Sequence, residues 1–185
     1  AETDYCKVSE VMIPIATLME RFIDFPQIIQ NTQTILAGCN FEYDFFTPKN
    51  KKHYTTNKHD DSVLLTKLAY EGMIRRYGAH NTAAKARVEK ELKVINDLEF
   101  SGYFLITWDI VQYSMRQGFL HIGRGSGANS IIAYCLDITN ICPLELDLYF
   151  ERFLNVNRKT PPDFDIDWSW RERDTILDYI FNKYG

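Results

Sequence analysis

The chain has 185 residues, of which 45% are apolar and 14% aromatic, and its 21 Lys and Arg face 25 Asp and Glu for a net charge of −4. Apolar residues this frequent bury enough surface to offset chain entropy, which excludes a disordered chain. No apolar run approaches the roughly 20 residues that a membrane span needs, so a soluble protein with no membrane partner is expected.

The opening Ala1-Glu2-Thr3-Asp4-Tyr5-Cys6 lacks the basic region and apolar core of a secretory signal. Cys6, Cys39, Cys135 and Cys142 include no C-x-x-C pair, so four reduced thiols in a cytoplasmic protein are expected. Three of them have apolar or aromatic neighbours, which predicts burial.

The first hundred residues read as helical. Pro26, tolerated in a first helical turn, opens a run with Ile28, Ile29, Ile35 and Leu36 that closes near Gly38. Phe41–Phe46 has the aromatic content of a short strand, and Thr47–His53 reads as an exposed basic loop. Asp60, Asp61 or Ser62 can cap a helix carrying Leu64, Leu65, Leu68 and Met73, ended near Gly78. Val88, Leu92, Ile95 and Leu98 mark another helix. After Gly102 the spacing of Phe104, Trp108, Val111 and Met115 predicts a helix buried on most sides. Phe119–Ile122 reads as a strand entering a turn, and Ala128–Leu136 as a helix. An irregular stretch from Pro143 to Pro162 leads to one alternating strand and a final helix carrying Ile176, Leu177, Ile180, Phe181 and Tyr184. Helices around a few strands predict an α+β unit.

Two segments carry chemistry. In Pro162-Asp163-Phe164-Asp165-Ile166-Asp167-Trp168, acidic and apolar residues alternate strictly, so a strand sets the three aspartates on one face and the apolar residues toward the core. Same-face neighbours start about 6.5–7 Å apart, from two steps of strand rise. Their side chains can converge on a pair of divalent cations about 3.5–4 Å apart, as in-line phosphoryl chemistry uses. Hard Mg²⁺ prefers such oxygens, with water and phosphates completing its shell. A solvated edge strand protected by its charges is the alternative.

The second segment is His121-Ile122-Gly123-Arg124-Gly125-Ser126-Gly127-Ala128-Asn129-Ser130. Its glycines permit a tight turn that aims successive amides at one point, and a following helix would add its positive end, so a phosphate can be held there. Ser126 and Ser130 can add hydroxyl donors, and Arg124 can add charge or pack against the fold. Neither a Walker A loop nor the dinucleotide fingerprint is present, and a ligand-free tight turn remains open. Between the two segments, Arg152 and Arg158 lie within chain reach of the acids and can clamp a triphosphate, or else pair with Glu151 or the aspartates.

Gly123-Arg124-Gly125-Ser126-Gly127-Ala128, then Phe150-Glu151-Arg152-Phe153-Leu154-Asn155, then Pro162-Asp163-Phe164-Asp165-Ile166-Asp167, resemble the palm of bacterial C-family DNA polymerases, the family of the DNA polymerase III alpha subunit. Gly102-Tyr103-Phe104-Leu105-Ile106-Thr107-Trp108-Asp109 also resembles the family's segment before the glycine turn. The resemblance runs from about Pro26 onward. It implies a palm like that of DNA polymerase beta and related nucleotidyltransferases, a small sheet with surrounding helices, incomplete in this chain. Residues 1–40 would be a helical segment leading from a preceding phosphoesterase-like domain, and 41–185 the first part of the palm.

By the same resemblance, Gly125 and Ser126 contact the incoming nucleotide's phosphates, and Arg152 and Arg158 match arginines expected near the triphosphate. Asp163 and Asp165 match two of three catalytic, metal-binding aspartates, while Asp167 matches an acid to which no catalytic part is assigned. The implied reaction is template-dependent deoxynucleotidyl transfer to a primer 3′-hydroxyl, with two Mg²⁺ ions, or Mn²⁺ in their place. The implied partners are primer-template DNA, dNTP, the fingers, thumb and phosphoesterase-like domain, and a sliding clamp and replisome subunits reached through regions outside this sequence.

His121-Ile122 stands where the family has a glycine, often with proline, and Thr160-Pro161 replaces its usual Ser-Met. The third aspartate lies well downstream in the family. The chain is therefore expected to be a section of a larger polypeptide, inactive alone. Two other readings stay open. One is a template-independent nucleotidyltransferase, whose motifs normally lie closer together. The other is a non-catalytic nucleic-acid-binding module using residues 49–93, where 11 basic side chains face 5 acidic ones.

Overall fold

The computed structural model describes residues 12–44, 52–157 and 162–185. The chain forms two compact units, residues 1–49 and 50–185. The first holds α1 (Ile15–Arg21) and α2 (Pro26–Gly38). Pro26 opens α2 because its missing amide is one that a first turn leaves unbonded anyway. Residues 41–44 form no strand, and 45–46 lie outside the described residues.

The second unit is built on α3 (Lys58–Tyr77), α4 (Thr82–Asp97) and α5 (Ser101–Arg116). The cap of α3 is Asn57, whose side chain accepts from the His59 and Asp60 amides, rather than Asp60, Asp61 or Ser62. Asp61 is buried instead and accepts from the Tyr54 and Thr55 amides and the Thr55 hydroxyl, tying the preceding loop to the helix. Gly78, at φ +81°, ends α3 in a conformation that an L side chain strains to adopt. Asn81 caps α4 through the Ala84 amide, and Ala84, Val88, Leu92 and Ile95 form its buried stripe.

The chain next forms β1 (His121–Arg124), a 3-10 turn (Gly125–Asn129) and α6 (Ile131–Cys135). The helix expected over Ala128–Leu136 is thus split, because Ser130 is extended at ψ 124° and caps α6 through the Ala133 amide. Asp137, at φ 62°, follows α6 and pairs with Arg75 and Arg76 of α3. α6 runs so close to α3 that a Cβ on Gly72 would meet the Cys135 carbonyl oxygen. A second 3-10 turn (Phe150–Arg152) leads to β2 (Asp165–Trp168) and α7 (Arg173–Tyr184).

The core gathers Leu65, Ala69, Ile95, Phe104, Leu105, Ile131, Ile132 and Phe153 from these elements. β1 and β2 pair antiparallel with His121 opposite Trp168, Ile122 opposite Asp167, Gly123 opposite Ile166 and Arg124 opposite Asp165. Helix-rich, with one small antiparallel sheet, the described residues have α+β character. Cys135 and Cys142 are buried and Cys39 exposed, and Cys6 lies outside the described residues. No described helix is long and apolar enough to cross a membrane.

Candidate active site

The acidic strand is held by its apolar residues. Phe164 stacks on Tyr103 at 5.5 Å between ring centroids, meets Phe104 edge-on at 5.1 Å and leans on Phe153 at 5.0 Å. Its amide donates to the Tyr103 hydroxyl at 3.3 Å, and the Trp168 indole donates to Ser114 Oγ at 2.7 Å. Phe164, Ile166 and Trp168 are half-buried and Asp163, Asp165 and Asp167 exposed; the strand is shorter than expected, starting at Asp165, so the period of two sets Asp165 and Asp167 on its outer face and Asp163 lies just ahead of it.

Register then carries the glycine turn to this strand. Arg124, the last residue of β1, lies opposite Asp165. Gly125 follows at φ 71°, and a Cβ there would stand 2.5 Å from Asp165 Oδ2. Only a glycine lets the backbone approach that carboxylate so closely in that conformation. Gly127 faces the other side of the strand, where a Cβ would stand 2.8 Å from Phe164 Cδ1. Ser126 is half-buried between them, with its carbonyl accepting from the Asn129 side chain at 2.8 Å. Arg124 Nε donates to Asp167 at 2.8 Å and Arg124 Nη1 lies 3.9 Å from Asp165, so the guanidinium moderates the repulsion along the acidic row.

The helix expected to contribute its positive end does not face outward. Glu91 of α4, fully buried, accepts from the Ile131 amide at 3.2 Å, the Ile132 amide at 3.4 Å and the Ser130 hydroxyl at 2.8 Å. The start of α6 thus already has an internal carboxylate, and Ser130 is spent on it rather than offered to a ligand. Burial pushes the Glu91 carboxyl up to about 7, against the pull of Arg87 and Ser130. Any anion cradle is confined to the turn around Gly125 and Ser126.

Arg152 is exposed at the end of the second 3-10 turn. Its neighbour Glu151 pairs with Lys90 at 2.5 Å. Arg158 lies outside the described residues. Among the described residues, no group of three His, Cys, Asp or Glu could enclose a metal ion. Asp165, against the backbone turn, and Asp163, two residues earlier and ahead of β2, carry hard carboxylate oxygens of the kind that Mg²⁺ or Mn²⁺ takes when water and phosphate oxygens fill the other positions. The basic stretch is largely engaged within the fold: Lys58 with Glu99, Lys67 with Glu71, Lys85 with Glu89, Arg87 with Glu91, and Arg75 and Arg76 with Asp137.

Three supporting features were not singled out from the sequence. Tyr103 aligns β2. Asp109 of α5 accepts from the hydroxyls of Tyr54, Tyr179 and Tyr184 and from Lys183, docking α7, which follows β2. Burial alone would raise the Asp109 carboxyl, but these donors hold it below its ordinary value. Glu91 falls within the apolar stripe of α4, and an acid at a core-facing position is the signal that would have revealed it.

The described residues thus form an α+β unit that places a glycine turn against an acidic strand. Residues 63–185 match the family model for the bacterial DNA polymerase III alpha NTPase domain, and the chain belongs to that family. It is 39% identical over 181 residues to an error-prone DNA polymerase of Symbiobacterium thermophilum, covering 98% of this chain and 16% of that protein. It is 37% identical over 186 residues to the DNA polymerase III subunit alpha of Halalkalibacterium halodurans, covering 100% of this chain and 16% of that one. With the DNA polymerase III subunit alpha of Helicobacter pylori strain J99 the identity is 38% over 183 residues, 89% of this chain and 15% of the relative. The chain therefore spans about one sixth of the length of these relatives.

Proposed function

We propose that this chain is the first part of the palm of a DNA-directed DNA polymerase, of the polymerase-beta-like nucleotidyltransferase type, acting in bacterial DNA replication. Residues 41–185 would belong to the palm, and residues 1–40 would be a helical lead from a phosphoesterase-like domain. The observation that carries the reading is the β1–β2 register, with Gly125 against the Asp165 carboxylate.

In the complete enzyme the primer 3′-hydroxyl attacks the α-phosphate of a dNTP and pyrophosphate leaves. Bound Mg²⁺ would supply charge stabilisation at the attacking and leaving oxygens. Asp163 and Asp165 would hold it as deprotonated ligands rather than act as bases. Gly125 and Ser126 would orient the phosphates for in-line displacement, and Arg152 and Arg158 would neutralise the triphosphate. The partners would be primer-template DNA and the rest of the polymerase chain with its third carboxylate, and through it the clamp and replisome.

A Mg²⁺ or Mn²⁺ titration read by fluorescence in a chain carrying Trp108→Phe and Trp170→Phe, so that Trp168 alone reports, tests this. A saturable response should appear and be lost in Asp163→Asn plus Asp165→Asn, with folding kept. A double variant that responds as the unsubstituted chain does would remove the metal assignment.

A further inference from the structure

We propose that Arg87 and Glu91 of α4 are positioning residues for the nucleotide pocket, forming a forked clamp that fixes the glycine turn relative to the segment bearing Arg152. This rests on the nucleotide-binding reading above and goes beyond it by naming what sets the pocket's dimensions.

One guanidinium makes three directed contacts. Arg87 Nε donates to Glu91 Oε1 at 2.6 Å, and Arg87 Nη2 donates to the carbonyls of Asn129 at 3.1 Å and Leu148 at 2.8 Å. Asn129 ends the turn that begins at Gly125, and its own side chain holds the Ser126 carbonyl at 2.8 Å. Leu148 stands two residues before the 3-10 turn that ends in Arg152. From the carboxylate, Glu91 accepts from the Ser130 hydroxyl and from the Ile131 and Ile132 amides, so the exit of the glycine turn is held as well. Between the two on the same helix, Lys90 pairs with Glu151, beside Arg152. The glycine turn and the segment leading to Arg152 therefore share α4 as a common anchor.

A role in stability alone does not account for this choice of residues. Burying an ion pair costs desolvation, and well-packed apolar residues often serve stability as well or better. What an apolar pair cannot do is hold two carbonyl oxygens and a carboxylate at fixed angles, which the planar guanidinium does. Lysine carries the same charge on one donor head and cannot reach all three acceptors together. Arg87→Lys thus separates the clamp from the charge.

The test compares the chain with Arg87→Lys and Glu91→Gln, by amide hydrogen exchange and by dATP binding with Mg²⁺. Arg87→Lys is expected to speed exchange at residues 126–130 and 148–153 together, by about tenfold, while the rest of α3 and α5 exchanges as before. Its dATP affinity should fall by about tenfold, the scale of losing an outer support of a site. Glu91→Gln keeps an oxygen for Arg87 Nε and both carbonyl contacts, so exchange should rise at 130–132 and stay unchanged at 148–153. Unaltered exchange at both segments in Arg87→Lys, or a uniform rise across all helices, would overturn the clamp. Unchanged dATP affinity alongside loosened segments would overturn the positioning role. Failure of the unsubstituted chain to bind dATP would count against the nucleotide reading itself, and the exchange data would still decide the clamp.

Discussion

Gly125→Ala separates what the glycine turn does for the fold from what it does for the carboxylate. At φ 71° an L side chain costs about 1–2 kcal/mol. The added Cβ would stand 2.5 Å from Asp165 Oδ2, but that side chain is 49% exposed and can swing aside at little further cost. Stability should therefore fall by about 1–2 kcal/mol in urea denaturation, while the displaced carboxylate should lower Mn²⁺ affinity at Trp168 by about tenfold. Gly127→Ala is the control. Its Cβ would stand 2.8 Å from Phe164 Cδ1, and Tyr103, Phe104 and Phe153 leave that ring no room to retreat. Overpacking should cost about 1–3 kcal/mol, a similar loss of stability from a different cause, with a smaller effect on Mn²⁺. In an Asp165→Asn background, Gly125→Ala should keep its stability cost and lose its effect on Mn²⁺. A Gly125→Ala chain that binds Mn²⁺ as tightly as the unsubstituted one would refute the contact between turn and acid as a determinant of the site.

Arg124→Gln should raise cation affinity, because the guanidinium lies 3.9 Å from Asp165 Oδ2 and one positive charge about 4 Å from a divalent cation opposes it by about 2 kcal/mol in a watery setting, about thirtyfold as an upper bound; the gain should shrink in added salt, and a loss of affinity would contradict it. Stability should also depend on pH through Glu91. Its carboxyl is raised in the folded state from 4.5 to about 7, so the folded chain holds the proton more tightly than the unfolded one. That contribution is fully present below pH 4.5 and is lost as pH rises to about 7, by about 3 kcal/mol. Glu91→Gln should flatten the stability profile over this range, and parallel profiles for the two proteins would sink the prediction.

What the sequence disclosed depended on whether the governing signal was local. The alternation up to Trp168 specifies a strand with an acidic outer face over Asp165–Trp168, because a period of two buries Ile166 and Trp168 together, while Asp163 and Phe164, expected in the strand, precede it. Glycines at 123, 125 and 127 announced a tight turn for an equally local reason. The pairing of Arg124 with Asp165 was not legible, since antiparallel register across some forty residues is decided by packing against Tyr103, Phe104 and Phe153. Acids and hydroxyls misled for a related reason. Asp61 and Ser130 have the composition of caps or ligands, yet Asp61 holds a neighbouring loop, and Ser130 caps α6 while donating to Glu91, a partner that exists only once α4 and α6 have packed. The strand expected at Phe41–Phe46 is not formed over residues 41–44, and 45–46 lie outside the described residues.

Mn²⁺-induced broadening of backbone amide resonances tests most directly whether the glycine turn and the acidic strand make one site. Substoichiometric Mn²⁺ should broaden Gly125, Ser126 and Asp165 first and leave the far turns of α4 sharp, and it should broaden none of them in the Asp163→Asn, Asp165→Asn chain. Broadening that spares Gly125 and Ser126, or that survives the double substitution, would contradict a shared site.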